Sequence, residues 1–338
     1  MHNSQNGGQV ARGGSGVGWN DSGQLTGGSL QGPMNKLLVS SCVGCHTSTT
    51  SSTIINLGSN RIPIVYNTVQ PVNPLAGGNF YWVAQGAAND GYGHNVYGIA
   101  AQDSSLTEAP GRQPSGCAGS CHSTLAAAPG ALNYSRGGCE GCHVFTYHHE
   151  NNGVYRFLKG HGIAPPISLT SERKNITAYP DYVQGVEDDD WEQETATDHN
   201  WYKGTDNSYS SGSTGLTNNK TISSFCSGCH SVFHGPYEPL DGTGMGSASP
   251  WLRHPTDILL PNTGEYSGYD PVSNYSVEAP VAWLNPSVPD RAAAVVMCLS
   301  CHRAHGSEHP DLLRWDYSIM LTGGGGPGGC FTCHTNKN

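Results

Sequence analysis

The residues most able to carry out chemistry are twelve cysteines. They form six close pairs, and a histidine directly follows each pair. In five pairs two residues separate the cysteines, which gives the pattern Cys-x-x-Cys-His. The five regular motifs are Cys42/Cys45/His46, Cys139/Cys142/His143, Cys226/Cys229/His230, Cys298/Cys301/His302 and Cys330/Cys333/His334. In the remaining motif, which is the second of the six along the chain, three residues separate Cys117 from Cys121, and His122 follows.

Three kinds of chemistry could account for such pairs. An even number of cysteines in an exported chain suggests disulfides, and pairs of Cys-x-x-Cys can build four-thiolate zinc sites. Neither explanation gives a role to a histidine after every second cysteine. In c-type haem attachment, by contrast, both thiols form thioethers with the porphyrin and the histidine becomes an axial ligand of the iron. The pattern therefore favours covalent haem.

This second motif differs by one residue in its loop. Ala118, Gly119 and Ser120 are small, and glycine accepts the backbone dihedrals that a bulged loop needs. We therefore expect a sixth haem here, the alternative being a lone disulfide beside an unrelated histidine. In total we expect six haem c groups held by all twelve cysteines. Their proximal iron ligands would be His46, His122, His143, His230, His302 and His334.

Ten further histidines remain for the opposite side of each iron. Methionine is the rival ligand and raises the reduction potential, but the chain has only five methionines, so we expect bis-histidine ligation and low potentials. The candidate distal ligands are His2, His94, His148, His149, His161, His234, His254 and His305. His305 is too near His302 to reach the same iron easily, so we expect it to bind a neighbouring haem. His199 and His309 lie beside acids, and an exposed polar histidine is an equal alternative for both.

The composition indicates what must position these residues. Hydrophobic residues make up 36% of the chain, charged residues only 12%, and 46 of 338 residues are glycine. With few apolar side chains to bury, the interior would be supplied by the haems. We expect one domain over residues 1–338, mostly irregular with short helices, with the haem stack as its core. Short helical turns should carry the motifs, and the best candidate for a longer helix is residues 287–300.

Charge and hydropathy exclude other classes of protein. A net charge of −10 leaves no basic stripe for nucleic acid. The longest apolar run, residues 292–299, is far shorter than the ~20 residues of a membrane span. Because haem is attached to thiols outside the cytoplasm, we expect an exported, extracellular or cell-surface protein, and a mature chain whose signal peptide has been removed.

Several short segments resemble the extracellular multihaem cytochrome filaments, or cytochrome nanowires, of the hexahaem type. They are Met1-His2-Asn3-Ser4, Gly93-His94-Asn95, Leu158-Lys159-Gly160-His161, Leu252-Arg253-His254-Pro255, the run from Cys298 to His305, and a last motif four residues from the C-terminus. The resemblance implies a homopolymer in which a histidine near the N-terminus ligates a haem of the next subunit. His2 has this position, and residues 1–30 would form an arm that contacts the neighbour. That family usually has a haem motif just before the MHNS segment, whereas this chain begins at MHNS and the Cys117 motif restores the count to six.

These observations favour electron transfer along six haems in an extracellular conductive filament, and no enzymatic activity. Partners would be other copies of the chain, redox donor and acceptor proteins, or extracellular acceptors. One alternative is a monomeric periplasmic or extracellular electron carrier. Another is a multihaem reductase of nitrite or hydroxylamine, which needs an iron with an open position; the Cys-x-x-Cys-Lys motif that marks many such enzymes does not occur here.

Overall fold

The structure is a computed structural model that describes fourteen parts of the chain. These are residues 4–5, 8–9, 12–30, 42–106, 109–111, 124–128, 137–143, 155–158, 182–188, 194–206, 220–230, 233, 254–324 and 326–337. The irregular motif Cys117/Cys121/His122 and the candidate ligands His2, His148, His149, His161 and His234 lie outside the described residues. In the parts that are described, no helix is both long and apolar enough to cross a membrane.

Regular structure is short in all the described ranges, which confirms there the expected irregular fold with short helices. The strands are β1 (Ser4–Gln5), β2 (Gly8–Gln9), β3 (Arg12–Gly13), β4 (Gly18–Trp19), β5 (Leu25–Thr26), β6 (Ser29–Leu30), β7 (Thr47–Ser48), β8 (Ile54–Leu57), β9 (Asn60–Pro63), β10 (Tyr66–Asn67), β11 (Gly185–Val186), β12 (Trp201–Lys203), β13 (Ile258–Leu259), β14 (Ala282–Trp283) and β15 (Ala294–Val296). The α-helices in the described parts are α1 (Ile222–Cys226) and α2 (Cys330–Cys333). Short 3-10 helices cover Cys42–Gly44, Val83–Gln85, Ala87–Tyr92, Gly138–Gly141, Tyr155–Phe157, Gly264–Tyr266, Arg291–Ala293, Cys298–Ser300, Pro310–Leu312 and Tyr317–Ile319.

The largest sheet has the order β11-β12-β14-β15-β13. Strands β12 and β14 are parallel, and the other pairs are antiparallel. Ala282 and Trp283 of β14 are fully buried, and because successive side chains of a strand point to opposite faces, they belong to different apolar clusters. The sheet thus has apolar packing on both faces. One cluster includes Leu299 and contacts Cys142 and Cys226, and the other contacts Cys333.

A smaller sheet, of order β10-β7-β4-β5, lies beside the first motif. Strand β7 begins directly after His46, and both its residues are buried. The indole Nε1 of Trp19, in β4, donates to the carbonyl of Cys45 at 2.9 Å. The sheet therefore fixes the end of this motif from two sides.

The predicted helix over residues 287–300 is wrong. Asp290 caps a single 3-10 turn at Arg291–Ala293 by accepting from the backbone N–H of Ala292, and the chain then enters β15. In β15, Val295 and Val296 pair with β14 and β13, and both are buried. Burial of two β-branched side chains in the central sheet outweighs the helix propensity of the preceding alanines.

Candidate haem-binding site

All five regular motifs fold into the same turn. In each, the backbone N–H of the histidine donates to the carbonyl of the first cysteine. The distances are 3.0 Å for His46, 2.9 Å for His143, 3.0 Å for His230, 3.1 Å for His302 and 3.0 Å for His334. This turn confirms the helical turns expected from the spacing, and it brings two thiols and an imidazole together at one point of the chain.

The imidazole of each motif is oriented by its Nδ1 atom. Nδ1 lies 2.7 Å from the carbonyl of Pro63 in His46, 2.9 Å from that of Arg156 in His143, 2.8 Å from that of Pro110 in His230, 2.7 Å from that of Asp311 in His302, and 3.0 Å from the carboxylate of Glu265 in His334. Carbonyl and carboxylate oxygens only accept, so Nδ1 carries the proton. The lone pair of Nε2 is then available to a metal.

Two of these acceptors lie in turns that no pattern in the sequence indicated. Arg156 has φ 47° and Phe157 has φ 59°, and the corresponding pair after the fifth motif, Asp311 and Leu312, has φ 60° and 58°. Such left-handed conformations are uncommon for residues other than glycine and cost of order 1–3 kcal/mol each. In both cases the first residue of the pair presents its carbonyl to the motif histidine.

Three motif histidines face a second histidine from a distant part of the chain. The ring centroids are 6.1 Å apart for His230 and His94, 6.1 Å for His143 and His305, and 6.2 Å for His334 and His254. Two imidazoles that bind one metal from opposite sides, each with its nitrogen ~2.0 Å from the metal and its ring centre ~1.1 Å further, would have centroids ~6.2 Å apart. The spacing therefore fits an iron between two axial histidines.

The backbone also orients these opposing histidines. Nδ1 of His94 lies 2.7 Å from the carbonyl of Ala304, and Nδ1 of His254 lies 2.9 Å from that of Pro255. The backbone N–H of His305 donates to Gly77 at 2.7 Å. His94 and His254 thus have the same tautomer as the motif histidines, with Nε2 free of its proton.

A close contact between glycines holds the segment that carries His305. Gly306 forms backbone bridges with both Gly78 and Gly93. A Cβ atom on Gly78 would lie 2.0 Å from the carbonyl oxygen of Gly306, and one on Gly306 would lie 2.7 Å from that of Tyr92. Gly78 also has φ 82°, which side chains rarely adopt. The approach that places His305 opposite His143 therefore requires glycine.

Loss of solvation keeps the imidazoles neutral. It lowers the pKa of His46, His94 and His143, and it lowers the pKa of His305 to about 3. An imidazole must be neutral to bind a metal. The protein environment thus favours the form of these histidines that can act as a ligand.

The thiols show which motifs are neighbours. A hydrogen bond with Cys139 lowers the pKa of Cys42 to about 7, and a hydrogen bond with Cys298 raises the pKa of Cys226. Burial raises the pKa of Cys301 to about 12, with a further contribution from the nearby Cys330. The first motif is therefore next to the third, the fourth next to the fifth, and the fifth next to the last. None of the ten cysteines within the described ranges forms a disulfide.

Cys229 differs from the other described cysteines in its exposure to solvent. Cys229 is exposed, whereas the other nine are partly buried. The reason is the direction of α1. Residues 221–224 at its start are buried, and the chain then leaves the core, so that Gly228 and Cys229 reach the surface. The fourth motif thus has Cys226 on its inner side and Cys229 on its solvent side.

His199 and His309 do not belong to the three imidazole pairs, and each has a different environment. The ring of His199 is buried and stacks on Tyr275, with centroids 3.5 Å apart and planes 3° apart, and the ring of Trp201 lies 4.3 Å away. His199 is thus part of the aromatic core, and the exposed alternative for it is wrong because this stacking removes it from solvent. Nε2 of His309 lies 3.8 Å from Glu308.

Comparison with known proteins gives three results. Residues 291–338, which contain the fifth and last motifs, match the family described as "Doubled CXXCH motif". No curated protein matches the chain. Two solved structures are similar, both from Geobacter sulfurreducens: an outer membrane cytochrome S filament, at 19% identity over 95% of this chain and 83% of that chain with a TM-score of 0.45, and OmcS nanowires, at 19% identity over 100% and 88% with a TM-score of 0.44. One of these structures is a cytochrome filament and the other a nanowire, the kind of assembly that the short segments of this chain resemble.

Proposed function

We propose that this chain is an electron-transfer protein that binds six haem c groups through its twelve cysteines. The observation that carries the proposal is the set of three imidazole pairs, each of which joins a motif histidine to a distant histidine at the separation that one iron requires. A haem with two histidine ligands exchanges single electrons at its iron. Cys229 keeps its role in this proposal, because an exposed thiol can bond to the solvent-facing edge of a haem while the partly buried Cys226 holds the inner edge.

The histidines of this chain would act chiefly by binding the irons and by keeping substrates away from them. We assign His94 to the iron of His230, His305 to that of His143, and His254 to that of His334. The second ligands of the remaining irons would come from His2, His148, His149, His161 and His234. Occupation of both axial positions by protein leaves no open site for a substrate, which favours electron transfer over nitrite or hydroxylamine reduction.

The proximity of the sites supports transfer between them. His94 interacts electrostatically with His230 and with His302, and His305 does so with His143, His94 and His46. Histidines of four motifs are therefore within electrostatic range of one another. An electron could pass between the irons in short steps, without movement of the protein.

Measurements of the number of haems and of the spin state of their irons test this function. A pyridine haemochrome assay of the purified protein should give six haems per chain, and five for the variant Cys117→Ala/Cys121→Ala. Electron paramagnetic resonance of the oxidised protein should show low-spin ferric iron. A substantial high-spin signal in the unmodified protein would contradict the proposal and favour an enzyme.

We further propose that the chain polymerises into an extracellular filament in which His2 ligates a haem of the next copy. The position of His2 in the MHNS segment supports this. Negative-stain microscopy should show filaments for the unmodified protein and for the control Asn3→Ala, and single particles for His2→Ala with an unchanged haem content. Filaments formed by His2→Ala would rule out His2 as the joining ligand, and an unmodified protein without filaments would be a monomeric carrier.

A further inference from the structure

The last motif differs from the others in what holds its histidine. Nδ1 of His46, His143, His230 and His302 faces a neutral backbone carbonyl, whereas Nδ1 of His334 lies 3.0 Å from Oε1 of Glu265. Among the motif histidines within the described ranges, His334 is the one that donates to a carboxylate. Hydrogen bonds to an ionised acceptor are roughly twice as strong as those between neutral groups.

The carboxylate of Glu265 is held in place by its surroundings. Its other oxygen, Oε2, lies 3.2 Å from Nζ of Lys337, and its backbone carbonyl accepts from Oγ1 of Thr335 at 2.7 Å. The ring of Tyr266 lies 5.0 Å from that of His334. Contacts with Thr335 and Lys337, which follow His334 in the chain, thus hold Glu265 against the imidazole.

A carboxylate that accepts from Nδ1 draws the proton away from the imidazole and makes Nε2 a stronger electron donor. A stronger donor stabilises ferric iron over ferrous iron and so lowers the reduction potential. Resting on the haem function proposed above, we infer that Glu265 tunes the iron of His334 to a lower potential than the iron of the adjacent motif at His302. An electron then leaves ferrous iron at His334, which becomes ferric, and reduces ferric iron at His302 to ferrous.

The experiment is a spectroelectrochemical titration of the haem-loaded protein. Glu265→Gln keeps an acceptor for Nδ1 but removes its charge, and one component of the titration should move to a more positive potential. We expect Glu265→Gln to change the ratio of oxidised to reduced iron at a given potential by about tenfold. A tenfold change in the ratio of oxidised to reduced iron corresponds to about 59 mV for one electron. Lys337→Met removes the cation from the other oxygen and should move the same component in the negative direction.

Asp270→Asn is the matched control. Asp270 is an exposed carboxylate in the same region, where Gly268 donates to Thr335, but it accepts from Val272 and Ser273 and not from a motif histidine. An equal shift in Asp270→Asn would mean that any nearby charge suffices, which would overturn a specific role for Glu265. Unchanged potentials in both Glu265→Gln and Lys337→Met would also overturn it. A haem count below six in the unmodified protein would instead count against the proposed function, so the two failures are distinguishable.

Discussion

The ring of His305 lies 6.1 Å from that of His143, although His305 follows His302 by only three residues. The short segment from His302 to His305 therefore contacts the surroundings of more than one motif histidine. It begins at the histidine of the fifth motif, its Ala304 carbonyl orients His94 opposite His230, and it ends at the histidine that faces His143. One short stretch of backbone thus contributes to the surroundings of three motif histidines, His302, His230 and His143.

Replacement of His305 by alanine should change one iron without loss of its haem. The thioethers of Cys139 and Cys142 remain, so the pyridine haemochrome count should stay at six. The iron loses its second axial ligand, and electron paramagnetic resonance should show a high-spin component from about one haem in six. His309→Ala is the matched control, since His309 lies four residues after His305 but outside the imidazole pairs, and it should give the spectrum of the unmodified protein. A purely low-spin spectrum for His305→Ala would show that another group binds this iron.

Alanine at Gly78 should destabilise the fold. The new Cβ would clash with the carbonyl of Gly306, and residue 78 would also have to keep φ 82°. An unfavourable backbone conformation alone costs about 1–3 kcal/mol, and the clash adds to it. Gly323→Ala is a control with a similar φ of 75° and nothing within 4 Å of the new atom. We expect Gly78→Ala to lower the midpoint of denaturant unfolding clearly more than Gly323→Ala; equal effects would mean that the glycine contact is not closely packed.

Arg314 is the buried cation that holds the fifth motif. Its side chain donates to the carbonyls of Leu299 at 2.7 Å and Val277 at 2.9 Å, and it pairs with Glu194 at 3.6 Å. Its backbone N–H donates to the carbonyl of Cys301. The arginine side chain is fully buried and that of the glutamate is 4% exposed, so solvent screens this ion pair little.

Removal of this cation should be costly. Arg314→Met leaves Glu194 buried without its partner, and breaking one side of a buried pair costs about 3–5 kcal/mol of unfolding free energy. Denaturant unfolding followed by circular dichroism measures this loss. Arg61→Met, at an exposed position, is the control and should change the midpoint little. A loss below ~1 kcal/mol for Arg314→Met would contradict the structural role of the pair.

Local features could be predicted from the sequence, while long-range pairings could not. The turn at each motif is determined by three positions within five residues, so Cys42 to His46 already specify it. The partner of His230 is His94 because the backbones of Gly93 and Gly306 meet and bring the carbonyl of Ala304 to the imidazole. Nothing local to His94 encodes that meeting.

Long-range contacts that the local sequence does not encode also explain the predictions that were wrong. Alanines at 292–294 suggested a helix, but the valines that follow are buried in the central sheet. His199 follows Asp198, which suggested an exposed histidine, but the ring stacks on Tyr275, whose position in the sequence gives no hint of the contact. The sequence does not single out Glu265, since a lone glutamate in a Gly-Glu-Tyr segment shows no sign of a hydrogen bond to a histidine near the C-terminus.

The shared use of the segment from His302 to His305 has a consequence for how the chain can vary. Insertion or deletion of one residue there would rotate the side chains beyond it and displace the Ala304 carbonyl, so three iron centres would be disturbed at once. Length changes should be tolerated in surface loops such as residues 322–324 and excluded from this stretch of four residues.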